Sequence, residues 1–493
     1  LLAPTNAVLR IVDNDRVGSL DSLFGALVGA DGTVNALVVQ PDGKVIIGGN
    51  FTTYEGTTIN RIARVNVDGT LDATFNPGVG FDNIVYALAL QPDGKVVVGG
   101  AFQTADGFPQ SYLARLNPDG TRDAAFGPGL GPNGTVLSID LATGGGMVIG
   151  GSFTQVDALT RNSVARLNTN GVADSTFGVA AGGANGPVFS VRVQTDQKVL
   201  IGGVFGNVLG ATRNGFARLN SDGTLDAAYA PALSGGGQVY SVALQADGRA
   251  VIGGSFTSVG GSSHTNLARL ATDGTVDNTF NSGSGPDSTV RSVALDSAGR
   301  VIIGGDFANV NGTARSSIAR LNADASLDAT FDPGLGADAA VQVVASEPQG
   351  HVWIGGDFLN VDGIDRGHVA RLNGDHGVVQ LGSATLSVLE STPTLTLTIS
   401  RTGGSSAIGT IDFVTSNITA TAGLDYVATN GTLTFFAGVT NLSVTISILP
   451  DKLVEGNEDF NFILRNPVSI GLGRSEEHTS ELQSRLHLVC RLL

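Results

Sequence analysis

Residues 84–126 read IVYALALQPDGKVVVGGAFQTADGFPQSYLARLNPDGTRDAAF. Val, Ile, Leu and Phe gather in short runs bounded by Asp-Gly and Pro, which is the pattern of strands. No run has helical spacing, so the stretch predicts four short strands joined by hairpins. Gly closes such turns because it takes the positive φ that they need. In Gln40–Lys44 and Asn117–Thr121 the loop is read as three residues with Gly last. The first strand is apolar on both faces, as in Ala87-Leu88-Ala89-Leu90, so it loses water on both sides. The diglycine of the second strand suits a close approach of backbones.

The same unit occurs seven times. Its diglycines fall at Gly48-Gly49, Gly99-Gly100, Gly150-Gly151, Gly202-Gly203, Gly253-Gly254, Gly304-Gly305 and Gly355-Gly356, in steps of 51, 51, 52, 51, 51 and 51. A period of this size means a propeller, a solenoid or an array. Six copies end in a full fourth strand carrying Phe75, Phe126, Phe177, Tyr229, Phe280 or Phe331. The seventh stops after Ala370-Arg371-Leu372-Asn373, and its missing strand matches Ser19-Leu20-Asp21-Ser22-Leu23-Phe24 at the other end. A repeat split in this way closes a ring and leaves no open end to cap. The expected fold is therefore all-β: a seven-bladed propeller over residues 17–377, with an open β-solenoid as the alternative.

Each third strand carries an Arg, from Arg64 to Arg371, and each fourth strand an Asp, from Asp72 to Asp328, with Asp21 at the N-terminal end. Across a three-residue turn Arg64 and Asp72 stand opposite, a pairing worth about 0.2–1 kcal/mol. A ring of arginines could serve anions, but a charge with its own partner in each blade reads as structural. Closure then requires Arg371 to pair with Asp21.

These motifs, PDGK, GGxF, ARLN and DGTLDATF, resemble the delta-60 repeat of large bacterial proteins. Thr143–Gly146 and Thr195–Gln197 depart from the PDG turn and leave the strands alone. The resemblance implies secreted or surface proteins and no particular reaction.

Beyond Gly377 the period stops, and residues 378–473 alternate Thr and Ser with Val, Ile and Leu, as in Thr394–Ile399. That predicts an antiparallel sandwich with one wet face. Val388-Leu389-Glu390, Gly423–Tyr426, Gly431–Phe435 and Leu453–Glu458 resemble a Calx-beta domain that lacks its closing strand. The resemblance implies calcium as a cofactor, held by Glu390, Asp425, Asp451 and Glu455 at one end of the sandwich. Four side chains would form most of a site for an ion that takes about six to eight oxygens. Pro450 and Lys452 around Asp451 depart from the family's acidic run, so a half-built or calcium-free site stands beside this reading.

Residues 1–16 contain Asn6–Asp15, which looks like the last strand of a preceding Calx-beta domain. Residues 474–493 carry the only Cys and no strand pattern, and Arg474–Ser484 resembles a translated sequencing adapter. With Leu1 in the first position, this suggests a fragment whose tail stands outside the fold.

The chain of 493 residues is 42% hydrophobic, holds 70 Gly and has a net charge of −16. An acidic surface argues against nucleic acid, whose partners present basic patches. No stretch is apolar and long enough to span a membrane. The His residues lie in turns and loops outside metal or nucleophile motifs, so an enzyme is not expected. A propeller lyase or hydrolase would need carboxylates or His converging at the axis.

The first and third turns of each copy are short and alike, whereas the second turn and the link between copies vary. Binding residues favour loops on rigid scaffolds, so the variable face is the candidate ligand face, with Tyr54, Asp106, Phe108, Arg161, His264 and Asp365. Unconstrained loops would vary equally. The expectation is a non-catalytic, extracellular or cell-surface adhesion module with a glycan or protein ligand, the alternative being a glycan or peptide sensor.

Overall fold

The computed structural model describes residues 17–21, 24–25, 28–127, 129–178, 182–347, 350–374, 378–381, 385–389, 391–402, 408–436, 438–450, 457–468, 470–472 and 486–492. They form two compact units, one holding the repeats through Asn373 apart from Asp296–Ala298 and Glu347–His351, the other holding those two stretches and the chain from Gly374 onward.

In the first unit each blade is a three-stranded antiparallel sheet, such as Val85–Leu90, Val96–Gly100 and Leu113–Leu116. The first strands form a closed ring, each packed on the next, with Val341–Ser346 of blade 7 against Val34–Val39 of blade 1. They are the inner strands. The expected three-residue turns are present: Gln40 N–H donates to Lys44 O at 2.8 Å, and Gly43 sits at φ +82°.

The diglycine has two separate causes. A Cβ on Gly48 would stand 2.5 Å from Val85 Cγ1 of the next blade, so the first Gly lets blades pack. The same contact at Gly355 meets Val34 at 2.6 Å and seals the ring. A Cβ on Gly49 would collide with Thr33 O across the blade's own ladder. There the inner strand carries a bulge, in which Asn35 and Ala36 together oppose Gly48. The register shifts at the matching place in all seven blades.

Two features differ from the sequence expectation. The fourth strand shrinks to a single bridge, such as Val65↔Leu71. One residue later Asp72 Oδ1 accepts the Thr74 N–H at 2.9 Å, and Phe75 N–H donates to Asp72 O at 3.1 Å. This Asx turn ends the strand and drives Phe75 into the core. The second loop, in turn, contains a two-residue hairpin, Thr53–Tyr54 with Thr57–Thr58 in blade 1.

Closure occurs as expected. Leu20 bridges Leu372, Asp21 N–H donates to Arg371 O at 2.9 Å, and Gly18 N–H donates to Asn373 O at 2.7 Å. Phe24 packs edge-on against Trp353 with ring centres 5.2 Å apart. Since Asn373 N–H still donates to Ser19 O, the repeat unit reaches that residue.

The second unit is a sandwich of a four-stranded and a five-stranded sheet. Its strands alternate buried and partly exposed residues, clearest in Gly409–Asn417, around a core that includes Ile399, Phe413, Tyr426, Phe460 and Phe462. One stretch of the tail differs from the sequence reading, while the adapter-like Arg474–Ser484 lies outside the described residues. Leu486–Leu492 is a strand, antiparallel to Glu458–Val468 and parallel to Thr385–Val388. In its sequence Leu486, Leu488, Cys490 and Leu492 alternate with His487, Val489 and Arg491, a period that suits a strand, and it fills the sheet position that was expected to be vacant. The Asn6–Asp15 segment lies outside the described residues.

Candidate functional site

The repeated charges are consumed inside the propeller. Arg64 Nε donates to Asp72 Oδ2 at 2.7 Å, and Arg115–Asp123, Arg166–Asp174, Arg218–Asp226, Arg269–Asp277 and Arg320–Asp328 repeat the pair at 2.8–2.9 Å. Arg371 Nη1 meets Asp21 Oδ2 at 2.7 Å across 350 residues of sequence. The guanidinium lies over the blade's own aromatic, 4.0 Å from the ring centre in Arg218–Tyr229. In five blades Nη1 also donates to a carbonyl of the next blade, from Pro118 O for Arg64 to Ala323 O for Arg269. Burial pushes the Asp72 carboxyl up, but Lys44, Thr74 and Arg64 outweigh it and hold it far below the usual range. This ring staples blades together, and each guanidinium has a carboxylate of its own.

Three of the six residues assigned to the ligand face are not on a surface. Tyr54 is fully buried, its hydroxyl donates to Gly69 O at 2.8 Å, and burial raises its pKa well above the ordinary value. Its hairpin folds inward because this position packs into the core in every copy, as Ala105, Val156, Val208, Val259, Val310 and Val361. Arg161 is buried and donates to Thr160 O at 2.9 Å and to Asp174 O at 3.3 Å. Arg213, Arg315 and Arg366 occupy the same place and bind local carbonyls in the same way. His264 fills the equivalent position in blade 5 and is 6% exposed.

The other three are accessible. Phe108 is 53% exposed, with the Arg122 guanidinium 4.4 Å from its ring centre. Asp106 is half-buried and accepts the Val79 N–H at 3.1 Å. Asp365 is exposed. Blade 1 separates Asp365 on blade 7 from the other two on blade 2, so no single cluster gathers them.

A different set comes together at the axial end of the inner strands. The bulge residues are Asn35, Tyr86, Leu137, Phe189, Tyr240, Arg291 and Gln342, all partly exposed. Phe189 and Tyr240, on adjacent blades, have ring centres 5.3 Å apart at 45°. Arg291 Nε donates to Asp306 Oδ1 at 2.7 Å, and Gln342 Nε2 donates to Asp357 Oδ2 at 2.7 Å. Thr33 Oγ1 of blade 1 donates to Asp357 Oδ1 at 2.7 Å, carrying the chain of contacts over the closure. Hydrogen bonding to Asp306 outweighs burial and raises the Arg291 pKa, with Tyr240 and Asp357 adding to the effect. Asp306 and Asp357 directly follow their diglycines, which places this collar on the variable-loop face.

In the sandwich, Asp425 lies in the turn before Tyr426. Its Oδ2 accepts the Thr421 N–H at 2.6 Å. Tyr426 donates to Asn417 Oδ1 at 2.6 Å and stacks on Phe460 at 4.1 Å, which anchors the turn to the core. Glu390, Asp451 and Glu455 lie outside the described residues. Among the described residues no three His, Cys, Asp or Glu groups converge as a metal site, and no helix is long and apolar enough to cross a membrane.

Comparison with known proteins divides along the same line. A family model described as a domain of unknown function (DUF5122) beta-propeller matches residues 40–75, 91–126, 145–177, 194–229, 245–280, 299–331 and 348–375. A Calx-beta domain model matches residues 373–480. Sodium/calcium exchanger 1 of Bos taurus is 36% identical over 107 residues, 22% of this chain and 11% of the exchanger. The chain thus spans about a tenth of the length of that relative. Among solved structures, the calcium binding domain CBD12 of CALX1.1 is 24% identical, with a TM-score of 0.19 over 23% of this chain and 44% of that one. YCF48 from Cyanidioschyzon merolae is 10% identical, with a TM-score of 0.34 over 70% of this chain and 97% of that one.

Proposed function

Because the chain belongs to the DUF5122 β-propeller family and also carries a Calx-beta domain, we propose that it is a non-catalytic modular protein of the cell surface or exterior. The propeller is its adhesion or interaction scaffold, and the sandwich is a calcium-binding module. One observation carries this reading: the recurrent Arg and Asp groups are paired within each blade. A framework that satisfies its own charges is stiff, and its variable loops are left to meet a partner.

Calcium suits the sandwich by family membership and by the chemistry of Asp425. One carboxylate oxygen is held by the Thr421 N–H, which fixes the direction of the other. Glu390, Asp451 and Glu455 would supply further oxygens toward the six to eight or so that calcium takes. A bound ion would neutralise these carboxylates and tie together the segments of sequence that bear them.

The test is calorimetry of the full chain in calcium and then in chelator, followed by an array of glycans and matrix proteins. Calcium at about a hundred times its Kd should stabilise the sandwich by about 2.7 kcal/mol, and Asp425→Asn should reduce that gain. A ligand should be retained without being cleaved. Identical melting with and without calcium would remove the metal from the proposal, and release of cleaved glycan would replace the scaffold by an enzyme.

A further inference from the structure

The seven copies can be compared position by position around the axial collar. The residue before the bulge is Val in all seven, from Val34 to Val341, and the residue after it is Ala, Ser or Val. The bulge residue itself is Asn, Tyr, Leu, Phe, Tyr, Arg and Gln in turn. An extra residue in a bulge has no cross-strand partner, so the ladder does not select its side chain. Four of the following positions do have a fixed task. Ser138, Ser190, Ser241 and Ser292 each accept a backbone N–H from the next blade, at 3.0–3.1 Å. Diversity is thus concentrated on the partly exposed residue of a rigid, repeated setting.

We infer that this collar is a binding site for a neutral saccharide, which deepens the scaffold reading and rests on it. Sugars present an apolar C–H face beside closely spaced hydroxyl groups. Phe189, Tyr240 and Tyr86 supply ring surfaces for the first, with Tyr adding a polar tip. Arg291, Gln342, Asn35 and the two carboxylates supply planar groups with paired polar atoms for the second. These groups are already oriented by one another, through Arg291–Asp306 and through Gln342–Asp357–Thr33, so little ordering is needed on binding. The charge balance selects neutral ligands. Arg291 is outnumbered by Asp306 and Asp357, which disfavours sulfated or uronic sugars and phosphate.

The full chain is applied to an array of neutral gluco-, galacto-, manno-, xylo- and chito-oligosaccharides beside acidic glycans and random peptides. A neutral oligosaccharide should bind, and Tyr240→Ala and Asp357→Asn should each weaken it about tenfold or more. Melting should stay unchanged for exposed Asp357→Asn, and Phe108→Ala, on the outer loop, should leave binding intact. Neutral glycan binding that ignores the collar variants but falls with Phe108→Ala would overturn the collar and keep the scaffold. Preference for acidic glycans or peptides would overturn the ligand class. Retention of nothing at millimolar concentrations would overturn this site while leaving protein ligands of the scaffold to the matrix array.

Discussion

The propeller buries most of its Arg–Asp pairs, with Arg320 only 1% exposed, while the sandwich pair Asp412–Thr432 lies nearer the surface. The two units share the same aliphatic and aromatic core chemistry. What separates them is how neighbours are told apart. A sandwich needs only an alternation of apolar and polar residues along each strand. A ring of near-identical sheets must also fix each sheet against the next at one height. The forked guanidinium does so by reaching its own Asp, its own aromatic and a carbonyl of the next blade.

The contrast is most severely tested by removing residues 1–25, which takes away the strand that bridges Leu372 and the partner of Arg371. Hydrogen exchange should lose protection throughout all seven blades and keep it in the sandwich. Loss confined to blade 7 would mean that the blades behave as separable repeats with nearest-neighbour coupling, and the ring would hold no cooperative advantage over an array.

A smaller effect compares single carboxylates. Asp123→Ala strands the buried Arg115 and should cost about 3–5 kcal/mol. Asp412→Ala, whose partners Thr432 and Asn466 stay open to water, should cost far less. Chemical denaturation of each variant measures the difference, and equal costs would erase the distinction between the units.

The mildest perturbation is acid. Burial raises the carboxyls of Asp72, Asp123, Asp174, Asp226, Asp277 and Asp328, but their cationic partners, joined in some blades by a hydroxyl or backbone N–H, outweigh it and leave them low. A depressed folded pKa contributes stability above the unfolded value of about 3.9 and loses it as pH falls toward the folded value. The propeller should therefore melt at a constant temperature from pH 7 to about 5 and fall progressively below about 4. A steeper acid loss in the sandwich would contradict the staple's role.

Much of this architecture can be read in the sequence because it is written seven times. The split repeat forecasts the Arg371–Asp21 pair, and Gly43 in QPDGK forecasts its turn. What escapes a linear reading has a physical cause in each case. A bulge adds one residue to an apolar run such as Val85-Tyr86-Ala87 without changing its composition, so Tyr86 reads as one more strand residue. Tyr54 reads as loop because Thr52, Thr53 and Glu55 surround it, although the aliphatic residues at its place in the other copies mark a core position. Arg161 reads as a free cation because carbonyl acceptors such as Thr160 O and Asp174 O leave no trace in a side-chain pattern. In the sandwich, the motifs give the strands and the Asp425 turn, whereas Glu390, Asp451 and Glu455 lie outside the described residues and no repeat in the sequence ties the four carboxylates together.

The inner-strand bulge has a consequence for how such a protein can change. Each blade offers one site where substitution carries no register penalty, since the ladder runs past it and the diglycine opposite absorbs the extra residue. Seven such sites encircle one spot. A lineage, or a library built at Asn35, Tyr86, Leu137, Phe189, Tyr240, Arg291 and Gln342, can therefore rewrite the collar letter by letter while the wheel that holds it keeps turning out the same fold.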